Sequence, residues 1–99
     1  MHYFLLKLIP PRPTFAQDMT VAERALMQEH SAYWTALAKK RTAIVFGPVA
    51  DPQGVWGVAV VEAEDEAKVR VLAENDPVMK AGDGFRHEIY PMLAAVVRK

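Results

Sequence analysis

Nearly every position from Tyr3 to Ile9 is apolar, with Tyr3, Leu5 and Ile9 on one side of an extended chain and Phe4, Leu6 and Leu8 on the other. Such a run predicts a strand buried on both faces. Pro10, Pro11 and Pro13 stop it, because proline has no N–H to give to a ladder. Residues 10–19 then read as a stiff, irregular loop whose notable side chains are Arg12 and Phe15. At Thr20 the period changes. Thr20-Val21-Ala22-Glu23 has the form of a capping box, and Leu26, His30, Tyr33, Trp34 and Leu37 recur at helical spacing up to about Lys40. Lys39, Lys40 and Arg41 suit the end of that helix, where cations offset the partial charge of the last carbonyls.

Beyond the helix, Thr42 to Val49 predicts a second strand, Asp51-Pro52-Gln53-Gly54 a type I turn, and Val55 to Glu62 a third strand. Asp65 can cap a second helix through about Glu74, presenting Ala67, Val71 and Leu72. Asp76-Pro77 starts a short helical turn that Gly82 stops. Gly84 to Tyr90 is a fourth strand, interrupted by Pro91, and Met92 to Val97 continues extended. This order is the βαββαβ pattern of a ferredoxin-like α+β fold, an antiparallel sheet with its helices on one face. No linker or repeat divides it, so residues 1–99 read as a single domain.

Two helices cover one face of a sheet, yet Val58-Ala59-Val60-Val61 is apolar on both. An apolar sheet face needs a cover. The expected cover is a second copy, giving a homodimer in which two sheets pack face to face. The alternative is a smaller sheet covered by the proline-rich loop and the C-terminal segment.

Composition narrows the function classes. With 12 basic and 12 acidic residues the formal net charge is zero, which argues against a nucleic-acid module and against electrostatic membrane docking. There are no cysteines, so disulfides, thiol nucleophiles and Cys-type zinc sites are excluded. The apolar start is short, contains Lys7 and meets prolines at once, unlike a signal peptide. No run is long enough to span a membrane, and the expected location is the cytoplasm. Gly-x-Gly-x-x-Gly, the P-loop and Gly-x-Ser-x-Gly are all absent. His2 and His87 stand at no ligand-like spacing to His30, so neither a metal nor a cofactor is expected.

His30 carries the most information. A helix facing a sheet normally fills such a position with Leu or Ala, and a buried imidazole needs partners for its nitrogens. It is either a satisfied core histidine or the working group of a pocket. Asp51, just past the second strand, lies at the sheet edge nearest the helix start and is a candidate partner. His30 is about ten residues beyond the cap, roughly 15 Å along the helix, so contact requires the Asp51 loop to fold inward. Asp51 can equally just start its own turn. Asp76 and Asp65 have cap roles, Asp76 remaining an alternative partner, and Asp18 belongs to either the loop or the site.

Taken together, the pieces resemble the YCII-related (YciI-like) family over nearly the whole chain. They are the opening Tyr-Phe-Leu-Leu strand, Pro10 to Phe15 with Asp18-Met19-Thr20, His30 followed by Tyr33-Trp34, Gly47 to Pro52, Asn75-Asp76-Pro77, Gly84-Phe85 and Pro91-Met92. The resemblance implies a dimeric α/β-barrel fold, similar to muconolactone-isomerase-type proteins, and a His–Asp pair that maps by position onto His30 and Asp51. It also implies isomerase or lyase chemistry, dehydrochlorination included, by proton transfer on small ring compounds. In that picture His30 is the acid–base group, oriented by Asp51. Arg12 binds any substrate charge, and Phe15, Trp34 and Phe46 line the pocket. The competing reading is a non-catalytic module of the same fold that binds a small molecule or a partner. A carboxylate bonded to His30 beside an open cavity favours the enzyme; a sealed His30 on a backbone carbonyl favours the module.

Overall fold

The computed structural model describes residues 1–98. Strands β1 (His2–Ile9), β2 (Ala43–Val49), β3 (Trp56–Ala63) and β4 (Arg86–Pro91) form one antiparallel sheet in the order β2-β3-β1-β4. β1 and β2 both run against β3, so they are parallel to each other with β3 between them. That is the ferredoxin-like arrangement expected from the order of elements. The helices are α1 (Phe15–Asp18), α2 (Val21–Lys39), α3 (Glu66–Glu74) and α4 (Pro77–Ala81).

Local chemistry explains the helix starts. Thr20 accepts from the Glu23 backbone while the Glu23 side chain accepts from that of Thr20, the full reciprocal capping box. Asp65 and Asp76 cap α3 and α4, Pro77 takes the first turn of α4, and Gly82 ends it in the left-handed region. Two expectations need correction. The loop after β1 contains a helical turn, α1, seated by buried Phe15. The chain does not continue as a strand past Pro91: the Met92 N–H still donates to Tyr3, but residues 93–98 leave the sheet. Pro91 is tolerated because β4 is an edge strand.

Phe4 and Leu6 of β1, Ala59 and Val61 of β3, Trp34 of α2 and Val69 and Ala73 of α3 form the main core. A second cluster of Leu8, Phe15, Val78 and Phe85 lies toward the proline-rich loop, where Phe15 meets Phe85 edge-on at 5.1 Å. Both clusters are on one sheet face. A register shift between Ala43 and Val45 sets Ala43 opposite Val61 and Phe46 opposite Ala59. Three residues apart, Ala43 and Phe46 would face opposite ways in a regular strand; the bulge turns both inward.

The other face holds Tyr3, Leu5, Lys7, Val45, Val58, Val60 and Tyr90, with Val45 and Tyr90 about half exposed. Neither in-chain cover occurs. The proline-rich loop lies on the helix side, and Leu93 and Val96 of the C-terminal segment are fully exposed.

Gly54, with φ +141°, lets the β2–β3 turn meet the proline-rich loop; a Cβ there would lie 3.1 Å from the Pro13 carbonyl oxygen. Gly54→Ala is expected to lower stability by about 1–3 kcal/mol in urea unfolding, because both the backbone and the contact are unfavourable.

Candidate active site

Asp76 is the one charged residue fully buried among the described residues. Its carboxylate is saturated with donors. His30 Nδ1 lies 2.9 Å from both oxygens, Trp34 Nε1 donates to Oδ2 at 2.8 Å, and the Val78 N–H donates to Oδ1 at 3.1 Å. His87 Nε2 approaches Oδ2 at 3.2 Å. Burial opposes ionisation of this carboxyl, but the bonds from His30, His87 and Trp34 outweigh it and hold it well below the usual carboxylate range. Asp76 is therefore a carboxylate, and the nitrogens facing it carry protons. The neutral form of the His30 imidazole then has its proton on Nδ1 and its lone pair on Nε2.

The two imidazoles line a cavity of about 200 Å³ between the sheet, α2 and the proline-rich loop. An engineered cavity of about 150 Å³ holds benzene, so a single substituted ring is the right scale. Phe15, Trp34 and Phe46 are in its wall, with Trp56 and Phe85. None of the described residues lining it is Lys, Arg, Asp or Glu; its polar side chains are His30, His87 and Ser31, since the indole N–H groups of Trp34 and Trp56 are spent on Asp76 and Asp51. Asp76 stands behind the histidines. The three do not form a metal seat, since both ring nitrogens point at a carboxylate already taken by Trp34 and the backbone, and no metal-holding group of His, Cys, Asp or Glu is found among the described residues.

The geometry reassigns two residues. Asp51 is not brought to His30. Its carboxylate accepts from the Gln53 N–H at 2.9 Å and from Trp56 Nε1 at 3.1 Å, and these bonds hold it below its ordinary pKa. Asp51 thus organises its own turn and holds the Trp56 indole. Arg12 is not in the cavity wall. Its guanidinium forks onto Glu23 at 2.7 and 2.8 Å and bonds Asp18 at 2.8 Å, lowering Glu23 to about 2. Arg12 ties the loop to α2 and has little left for a substrate. Asp18 is held by Arg12 and Thr14. The sequence dismisses His87 for its spacing to His30 and gives no sign of a role for it, because it sits on an ordinary inward strand position, opposite Leu8; only its place beside Asp76 marks it.

A model of the YCII-related domain matches residues 1–93. The chain belongs to the YCII-related domain family. Among solved structures, this family member is similar to the 5-chloro-2-hydroxyhydroquinone dehydrochlorinase TftG from Burkholderia phenoliruptrix AC1100, determined in complex with 2,5-dihydroxybenzoquinone. The two share 26% identity with a TM-score of 0.61, over 87% of this chain and 89% of that one. Among curated proteins, none matches the chain.

Asp76→Asn removes the buried acceptor and sets an amide N–H₂ against other donors. It is expected to destabilise the protein by about 3 kcal/mol at neutral pH, read by chemical denaturation. Because folding depresses the Asp76 pKa, its contribution is present above the unfolded carboxyl value and is lost as pH falls through the lower folded one. The wild-type advantage should therefore not shrink on acidification until the pH is below about 4.

Proposed function

We propose that this YCII-related protein is a cofactor-independent acid–base enzyme of isomerase or lyase type, dehydrochlorinases included, acting on a small hydroxylated ring. The observation that carries this is the buried Asp76 carboxylate on His30 Nδ1, beside a cavity that His30 itself lines. Nε2 is left as the base. It takes a proton from a ring hydroxyl as His30 becomes an imidazolium, and Asp76 stabilises that cation without moving. The same imidazolium can return the proton to a ring carbon, which converts an enol to a ketone. Where that carbon bears a halide, loss of the halide with its bonding pair and of a further proton completes an elimination. The similarity to a dehydrochlorinase solved with a dihydroxybenzoquinone supports a ring of this kind. Phe15, Trp34 and Phe46 supply the apolar walls.

The test is turnover on a panel of hydroxylated and chlorinated six-membered rings. His30→Ala should lose about 10²–10⁴-fold in kcat, the usual range for a removed general base, and Asp76→Asn should lose activity in a fraction shown to be folded. Equal turnover in wild type and His30→Ala would remove His30 from catalysis.

We further propose that the uncovered sheet face, with Leu5, Val45, Val58, Val60 and Tyr90, packs against the same face of a second copy. Removing apolar area from water is the driving force. Sedimentation at micromolar concentration should give a dimer, and Val60→Lys, a charge at the middle of that face, should shift it to monomer. A wild-type monomer at that concentration sinks the model.

A further inference from the structure

Two imidazoles share one carboxylate, and their surroundings differ. Since Asp76 is ionised, His30 presents Nδ1–H to it and His87 presents Nε2–H. The second nitrogen of His87, Nδ1, is buried without a partner, the one such side-chain polar atom among the described residues, on a side chain 4% exposed. The side chain of His30 is 15% exposed, and its Nε2 is not sealed in this way. An unpartnered lone pair is tolerable in a protein interior, whereas a charged N–H with no acceptor is severely penalised.

We infer that His87 is a positioning residue, a permanently neutral Nε2–H donor to Asp76 that leaves His30 as the imidazole on which a proton entering the pair resides. This rests on the proposed role of His30 as proton carrier. Every group facing the pair agrees with it. From α2, Trp34 Nε1 donates to Asp76, its ring is 6.4 Å from that of His87, and the Tyr33 hydroxyl is turned away to donate to the Leu72 carbonyl. From α4, only the Val78 N–H faces the carboxylate. On β1 the residue opposite His87 is Leu8. Next to His87 on β4, Arg86 and Glu88 pair with each other on the opposite face of the sheet, where Glu88 stands across from Lys7. Among the described residues no acceptor is therefore supplied for a proton on His87 Nδ1. By occupying Oδ2, His87 also weakens the pull of Asp76 on a charged His30, so the proton taken up can be given back.

The test uses the free protein and no substrate. In ¹⁵N spectra of the imidazole nitrogens, His87 should appear as the Nε2–H tautomer and His30 as the Nδ1–H tautomer. On acidification His30 should become imidazolium first. Charging of His87 before or together with His30, or an Nδ1–H tautomer at His87, overturns the proposal. In His87→Leu, which lacks the donor, the ratio of charged to neutral His30 at fixed pH should rise about three- to tenfold, while His87→Gln, which keeps an N–H, should stay within about twofold of wild type. An unchanged ratio in His87→Leu also overturns it; should that variant not fold, the wild-type spectrum decides. Failure of the enzyme reading is seen separately, as turnover that survives His30→Ala.

Discussion

A carboxylate with no access to water must be wrapped in donors, and the donors of Asp76 come from three different elements. His30 and Trp34 descend from the middle of α2, His87 rises from β4, and the Val78 N–H belongs to the helix that Asp76 itself begins. The ion therefore fixes the mutual position of α2, α4 and the sheet edge, and a shift of any of them would leave a buried charge underpaired. The same residue caps a helix, closes the core and sets the tautomer of the cavity histidine. These are not three roles added together. Each follows from the need to satisfy one charge where water cannot reach it.

Most of the fold could be read locally because its signals are local. Thr20-x-x-Glu23, Asp65, Asp76-Pro77 and Gly82 each act within one turn of chain, and all four act as their residue types suggest. The strands followed from runs of apolar residues, and their order gave the ferredoxin-like topology shared with the solved dehydrochlorinase. What escaped was non-local or a departure from regular period. The bulge that brings Ala43 and Phe46 to the same face depends on pairing with β3, and α1 depends on Phe15 finding Phe85. The choice between Asp51 and Asp76 as the partner of His30 is also non-local, since Asp76 lies 46 residues away at a position with a capping role of its own. Asp51 looked available for the same reason in reverse, since its bond to Trp56 could not be seen without the turn in three dimensions. A residue with one complete local explanation ranks low as a second partner, which is why the sequence offers Asp76 only as the alternative to Asp51.

The charges around the cavity are arranged so that none enters it from outside. Arg12 lies close enough to Phe15 for its guanidinium to stand 5.3 Å from the ring, yet Glu23 and Asp18 consume its donors. Lys7 stands 4.7 Å from the Trp56 ring on the sheet face away from the helices. What remains inside is a single negative charge, screened by two imidazoles and an indole. A ligand that arrived as an anion would meet that charge with no cation to offset it. A neutral ring bearing a hydroxyl meets a lone pair on His30 instead. In the proposed reaction the charge separation then happens within the cavity: the proton moves onto His30, between Asp76 and the new oxyanion, and the net charge of site and ligand does not change. Low dielectric, which penalises bringing a charge in, strengthens a pair created in place. In the proposed reaction, the burial that makes Asp76 costly to the fold is thus the condition that would favour a neutral ring over an anion and hold the ion pair once formed.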